Sequence, residues 1–206
     1  TFRDRAVATA RKAANGGSDA VRRSFAALLA ATAEAQWSLF RLQAAAALYA
    51  DAENAVAEFD AGLAAQYRKL HADAWAAEGE YRGDNDAFDK AVSLYDAALT
   101  YYDDQPDDDV WAETANDFAS VLAKYGARRD DDEYLVDAVT AYGQVLTIWT
   151  AESHPEDWAR AQNNLGHAYA ALGDRNHDSN RWRQAVLAYR DALSVWTKEG
   201  APLDWA

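Results

Sequence analysis

One pattern of small, aliphatic and aromatic side chains recurs along the chain at helical spacing. Each copy has an Ala-Val pair, an aromatic residue four positions after the alanine, and a small residue and a leucine seven and eight positions after it. These positions fall on one face of an α-helix. Copies begin at Ala55, Ala91, Ala138 and Ala185, and a weaker one with Ser24 in place of the aromatic residue begins at Ala20. We therefore predict a closely packed amphipathic helix at each copy.

A second helical segment precedes each of the last three copies. These segments cover about residues 64–78, 109–125 and 156–172, and we expect each to end near a glycine, at Gly79, Gly126 and Gly173. Pro106 and Pro155 stand where helices should start, because proline is tolerated in a first turn. The loops at 80–86, 127–132 and 174–179 are polar and finish with residues that can cap the next helix. The order is therefore helix, polar loop, helix, repeated.

The first third of the chain is less regular. Residues 1–17 predict a short helix that ends at Asn15-Gly16-Gly17, with Ser18 or Asp19 capping the next helix. Only Gly62 interrupts the apolar pattern between 34 and 78. We expect one long, kinked helix over 52–78, and the alternative is two helices that meet near Gly62.

A fixed period joins the later segments. The distances from Trp111 to Trp158 and from Trp158 to Trp205 are both 47 residues, and the phrase at 155–159 returns at 202–206. A constant period of this size is typical of stacked-repeat proteins. We predict irregular N-terminal helices over 1–51 and a repeat array over 52–206, with repeats at 52–105, 106–154 and 155–201 and the start of another at 202–206. Because the chain begins at Thr1, has no Met and stops within a repeat, we expect it to be a fragment.

The last full repeat resembles the tetratricopeptide repeat, a 34-residue helical hairpin. Leu165-Gly166 with Tyr169 match its first helix, and Ala185, Tyr189 and Ala192 match its second. About thirteen extra residues, in the loop and after the second helix, lengthen the repeat to 47. The longer repeats look like those of bacterial multi-repeat proteins, including arrays that resemble kinesin light chain. The resemblance implies an all-α, right-handed α-α superhelix, that is, a helical-repeat solenoid.

Composition and charge narrow the function classes. The chain has 206 residues, with only 3 Pro and 10 Gly, which favours helix. The net charge of −14 opposes binding to nucleic acid and to anionic membranes. It leaves a basic protein partner open beside the simpler interpretation that acidity keeps the array soluble. No apolar run reaches the roughly 20 residues of a membrane span, so we expect a cytoplasmic location.

No motif in the sequence predicts catalysis, a metal or another cofactor. The 4 His residues show no ligand spacing, and there is no Cys. The stretch 174–180 begins like a calcium loop, but Ser179 and Ala185 stand where that loop needs Gly and Glu, so a capped loop is the preferred interpretation. Acidic clusters at 103–109 and 130–133 could hold a cation or a basic peptide, or they could simply favour helix starts. The regular tryptophans are expected to pack between repeats.

The resemblance also implies where a partner would bind. In that family the first helix of each repeat lines a concave groove, and side-chain amides there can grip an extended peptide backbone. We therefore expect a non-catalytic scaffold that binds a protein or peptide; the alternatives are a regulatory segment of a larger protein with a protease or ATPase effector, and self-association through the solenoid ends. The implied groove residues are Gln66, Lys69, Asp73, Glu113, Asn116, Ser120, Lys124, Arg160, Asn163 and His167.

Overall fold

The computed structural model describes residues 7–8, 14, 17–103 and 108–196. Within these ranges the regular structure is entirely helical, which confirms the all-α prediction. The contacts between residues divide the chain into two compact units, 1–101 and 102–206. The helices are α1 Asp19–Trp37, α2 Leu42–Val56, α3 Ala61–Arg82, α4 Asn85–Tyr102, α5 Asp108–Arg129, α6 Asp132–Ile148, α7 Pro155–Asn176 and α8 Ser179–Val195.

Helices α1, α2 and α3 share the core of the first unit. One cluster joins Phe25 and Leu29 of α1 to Val56 of α2 and Tyr67 of α3. A second cluster consists largely of alanines and surrounds the buried Tyr49 of α2. Alanine lets helix axes approach closely, and the aromatic rings fill the space that remains between them.

The predicted single helix over 52–78 is wrong, because α2 ends at Val56 and α3 begins at Ala61. The carboxylate of Asp60 caps α3 by accepting the backbone N–H of Leu63 at 3.0 Å. Arg22 and Arg23 of α1 hold the turn from outside, through ion pairs of 2.8 Å to Glu58 and 3.0 Å to Asp60. The pattern copy that begins at Ala55 is therefore cut by a turn, and the predicted boundary between 51 and 52 lies inside α2.

The copies that begin at residues 20, 91, 138 and 185 do lie in helices, namely α1, α4, α6 and α8. Three aspartates in the predicted polar loops cap the last three of these helices. Asp84 accepts backbone N–H groups of Asp86 and Ala87, Asp131 accepts that of Glu133, and Asp178 accepts that of Asn180. The stretch 174–180, which begins like a calcium loop, thus contains the cap of α8, in agreement with the preferred interpretation as a capped loop. Pro155 begins α7, as predicted, whereas Pro106, the glycine stop at 15–16 and residues 202–206 lie outside the described residues.

The predicted helix ends at Gly79, Gly126 and Gly173 are wrong, since α3, α5 and α7 each continue three residues further. These glycines lie where two helices of a hairpin touch. A Cβ at Gly126 would stand 3.0 Å from the backbone of the next helix, and one at Gly173 would stand 3.0 Å from the ring of Trp182. These glycines allow the two helices to approach closely. The residues with left-handed backbone that follow the ends of α3, α5 and α7 are Gly83, Asp130 and His177.

In the second unit, α5 pairs with α6 and α7 pairs with α8, while α7 also contacts both α6 and α5. Arg175, near the end of α7, locks this arrangement. Its guanidinium pairs with Asp130 at 2.7 Å and Asp132 at 2.9 Å and donates to the carbonyl of Gly126 at 3.1 Å. One side chain thereby ties α7 to the turn between α5 and α6.

Candidate functional site

The ten predicted groove residues lie on α3, α5 and α7, at positions that match when the chain is shifted by 47 residues. Their surroundings differ strongly, so the row is not a uniform surface. By position, the residues are Gln66, Glu113 and Arg160; Lys69, Asn116 and Asn163; Asp73, Ser120 and His167; and Lys124.

At the third position of this row, each residue contacts a tyrosine on the following helix. In the first unit, the hydroxyl of Tyr95 on α4 donates to the carboxylate of Asp73. In the second unit, the hydroxyl of Tyr142 on α6 hydrogen-bonds with Ser120 and with Asn164 of α7. Burial raises the pKa of Tyr142, so this phenol stays protonated at neutral pH.

The same arrangement recurs at the last pair of helices. The hydroxyl of Tyr189 on α8 lies 3.0 Å from Nδ1 of His167, and the two rings meet edge to face at 5.2 Å. Burial again raises the pKa of the tyrosine. The residues at the third position of the row therefore each hold a tyrosine of the following helix by a hydrogen bond. The sequence carried this signal, because the three tyrosines have the same 47-residue spacing as their partners.

The prediction that Asn116 offers an exposed amide is wrong, because this side chain is only 2% exposed. Its Nδ2 makes a 3.4 Å contact with Asp117, and its Oδ1 is buried without a hydrogen-bond partner. A three-residue step turns the helix by about 300°. Asn116 is therefore rotated about 60° from the exposed Glu113, toward the side on which α5 packs.

In the second unit, the accessible residues of the row include an acid, two bases and an amide. Glu113 and Lys124 on α5 and Arg160 on α7 are exposed, while Asn163 is half-buried. Arg160 is held by an ion pair of 2.8 Å to Asp157 and lies 5.5 Å from the ring centre of Trp149. Since α5 and α7 contact each other, we name Glu113, Lys124, Arg160, Asn163 and His167 the α5/α7 face.

In the first unit, Gln66 is exposed, whereas Lys69 is half-buried and pairs with Asp73 at 3.3 Å. The row here adjoins a charged cluster that the sequence analysis missed. Glu53 of α2 pairs with Arg68 of α3 at 2.8 Å and faces Nδ1 of His71 at 3.9 Å. Burial alone would raise the pKa of Glu53, but the nearby His71 and the hydrogen bond from Arg68 lower it.

His71 is the residue of this cluster that most resembles a catalytic group. Its Nε2 accepts the indole N–H of Trp75 at 2.9 Å, which places its proton on Nδ1, toward Glu53. The lone pair that a general base would use is therefore occupied. The cluster joins α2 to α3.

A cavity of about 240 Å³ lies in the second unit, between the start of α5 and the end of α6. The indole N–H of Trp111 in its wall donates to Asp103 at 2.8 Å. In the sequence, Asp103 and Asp108 stand out only as members of an acidic cluster. The cavity is lined by Tyr102, Asp103, Asp108, Trp111, Gln144, Thr147 and Ile148.

The described residues hold neither a membrane-spanning helix nor a metal-binding cluster. No helix within 17–103 or 108–196 is both long and apolar enough to cross a membrane. Nor do three or more His, Asp or Glu side chains converge there in a way that could hold a metal ion.

No known family model matches the chain, and no curated protein matches it. Among solved structures, the chain is similar to one titled DHF58 filament, with 17% identity and a TM-score of 0.45 over 85% of this chain and 94% of that one. It is also similar to BtubC (BKLC) from P. vanneervenii, with 18% identity and a TM-score of 0.46 over 94% of this chain and 88% of that one. Similarity at this level leaves the function to be argued from the residues themselves.

Proposed function

We propose that the chain is a non-catalytic scaffold of the tetratricopeptide-repeat type, part of a right-handed helical solenoid, which binds a protein or peptide partner on the α5/α7 face. One observation carries the proposal. The two neighbouring helices contact each other, and Glu113 and Arg160, which stand at matching register on them, are both exposed.

The chemistry of this face suits an extended peptide. The amide of Asn163 offers a donor and an acceptor, which is what an unpaired stretch of peptide backbone requires. Asp157 and the ring of Trp149 hold Arg160, and the hydroxyl of Tyr189 holds His167. Side chains that are already ordered lose less conformational entropy when a partner binds.

Charge supports a partner that carries basic residues. The net charge of −14 gives the chain a negative field that accelerates encounter with a cationic partner. Salt screens this field within about 10 Å at 0.1 M ionic strength. We therefore expect the association rate to fall as salt is added.

The test begins with a random peptide library displayed on phage and selected on the immobilised protein. Calorimetry then measures the enriched peptides against wild type and against the variant Glu113→Ala/Arg160→Ala/Asn163→Ala. We expect this variant to bind at least about tenfold more weakly, because it loses roughly 1.4 kcal/mol or more of hydrogen bonding and charge. Equal binding by wild type and variant, or no enriched peptide at all, would contradict the proposal.

A matched variant controls for the number and charge of the substitutions. Asp137→Ala/Gln184→Ala/Arg190→Ala also removes one acid, one base and one amide, all of them exposed on α6 and α8. We expect this variant to bind the peptides like wild type. Circular dichroism spectra of both variants must match the spectrum of wild type.

A second candidate function is self-association through the outer face of α8. Val186 and Leu193 there are 61% and 47% exposed, whereas Val139 and Leu146, at the same register on α6, are half-buried. In the middle of the unit, α7 packs on α6. We propose that a second copy of the chain covers the equivalent face of α8.

Sedimentation velocity over a range of protein concentrations tests this second candidate. We expect the mass to rise with concentration for wild type and to stay monomeric for Val186→Glu/Leu193→Glu. The control is Val136→Glu, which changes a valine that is 44% exposed on α6. A constant monomer mass for wild type would refute self-association and leave the peptide proposal untouched.

A further inference from the structure

The cavity between α5 and α6 has walls of unusual chemistry for its size. Two carboxylates, Asp103 and Asp108, stand with two aromatic side chains, Tyr102 and Trp111. Aromatic faces and carboxylates both attract cations, and aromatic faces in particular attract organic cations. Its volume of about 240 Å³ lies below the roughly 300–1,000 Å³ of typical small-molecule sites. The cavity is therefore of a size for one side chain.

The end of α6 adds to the negative potential. Thr147 and Ile148 belong to the last turn of this helix and line the cavity. A helix C-terminus carries a partial negative charge and carbonyl groups without helical partners. The last turn of α6 contains no basic residue that could complement this charge. The positive start of α5 on the opposite side is offset by the acids of its own first turn, Asp108 and Asp109.

The next repeat shows how the chain treats the corresponding aromatic residue. Trp149 stands 47 residues after Tyr102, and the guanidinium of Arg160 lies over its ring at 5.5 Å. The residue 47 positions before Arg160 is Glu113. A cation therefore lies over the aromatic ring of the later repeat, and an acid stands at the register of that cation in the repeat before it.

We propose that this cavity receives the ammonium group of a lysine side chain from a partner protein. The ammonium lies against the aromatic walls and hydrogen-bonds to Asp103 and Asp108, while the aliphatic stem contacts Ile148. Asp103 is oriented for this role, because the indole N–H of Trp111 holds its Oδ1 at 2.8 Å and leaves Oδ2 for the ligand. The proposal does not rest on the α5/α7 face, since other residues form the cavity.

Two model ligands with the same four-carbon side-chain stem test the proposal: Nα-acetyl-lysine-N-methylamide, and Nα-acetyl-norleucine-N-methylamide, which lacks the ammonium group. The readout is the NMR signal of the Trp111 indole N–H, assigned through its loss in Trp111→Phe. We expect a saturable shift with the lysine compound, within about 50 mM at low salt, and none with the norleucine compound. No saturable lysine-induced shift, an equal norleucine-induced shift, or a shift caused by CaCl₂ instead would overturn the proposal.

Variants locate the site. Asp103→Asn and Asp108→Asn keep the size of the side chain, and we expect each to weaken lysine-compound binding about tenfold, since a charge-assisted hydrogen bond is lost. The control is Asp137→Asn, which neutralises an exposed carboxylate of α6 that lies outside the cavity. If the three variants weaken binding equally, the attraction comes from the net charge of the chain and the cavity proposal is wrong.

Discussion

Replacing a glycine by alanine should change the free energy of unfolding differently at two sites of the second unit. Gly126 lies inside α5, and a Cβ there would stand 2.9 Å from Cβ of Tyr134 and 3.0 Å from both the carbonyl oxygen of Asp131 and the backbone nitrogen of Leu135. Gly143 lies inside α6, is exposed, and has nothing within 4 Å of the place where its Cβ would stand. The same change to alanine therefore meets a packed turn at one site and solvent at the other.

The magnitudes follow from two opposing terms. Alanine is about 0.8–1.0 kcal/mol more favourable than glycine in a helix interior, and both sites gain this amount. At Gly126 the new methyl group must displace backbone atoms, and overpacking of this kind costs about 1–3 kcal/mol. We expect Gly143→Ala to raise the free energy of unfolding by about 1 kcal/mol. The free energy of unfolding of Gly126→Ala should be about 1–3 kcal/mol lower than that of Gly143→Ala, because both variants gain the same helix propensity and only Gly126→Ala is overpacked.

Urea unfolding followed by circular dichroism measures both values, with the slope of each transition compared with that of wild type. Equal slopes show that the two variants unfold from states of similar compactness. If Gly126→Ala stabilises the protein as much as Gly143→Ala does, the close approach of α5 to the start of α6 is refuted. A loss of stability in both variants would instead refute the exposure of Gly143.

Three further predictions concern the tyrosines and the lock between helices. Tyr142→Phe should lower the free energy of unfolding by about 1–2 kcal/mol in urea, because it removes a buried hydroxyl from two half-buried partners, and Tyr189→Phe should cost clearly less; equal costs would contradict the difference in burial between the two tyrosines. Burial, followed by the charges of nearby acids, raises the pKa of Tyr49 to about 12; because the unfolded phenol ionises near pH 10 while the folded one stays protonated, stability should fall as pH rises from about 10 to about 12, and less so in Tyr49→Phe. Hydrogen bonds from Asn176 and then from Arg175 lower the pKa of Asp132; Arg175→Ala should lower the melting temperature and, in an NMR titration, return the pKa of Asp132 part of the way toward its ordinary value, and an unchanged titration would contradict the ion pair.

Local pattern was sufficient to predict most helices. The copies at Ala91, Ala138 and Ala185 lie in helices because their apolar positions share one face, and aspartates cap those helices because the loops between them are short and polar. Pro155 likewise stands at the first position of α7. In each of these cases the deciding interactions lie within a few residues of one another along the chain.

Features that depend on distant residues were not predictable in this way. The turn after Val56 is held partly by arginines more than 30 residues earlier, in α1. Gly126 reads as a helix end in sequence, but the approach of α6 gives it a packing role inside α5. The register of Asn116 with Asn163 predicts a groove residue, yet neighbouring residues bury Asn116 almost fully, whereas Asn163 is half-buried. The cavity was not predictable because Tyr102 and Gln144 line one space only in the folded unit.

The central claim is that the α5/α7 face binds a peptide. Backbone amide signals of the protein, recorded by NMR with and without the best peptide from the library, test this claim most directly. The account predicts that the largest shifts cluster around Glu113, Arg160, Asn163 and His167, with little change along the exposed side of α6 and α8. Largest shifts on α6 and α8, or shifts spread evenly over both units, would contradict it.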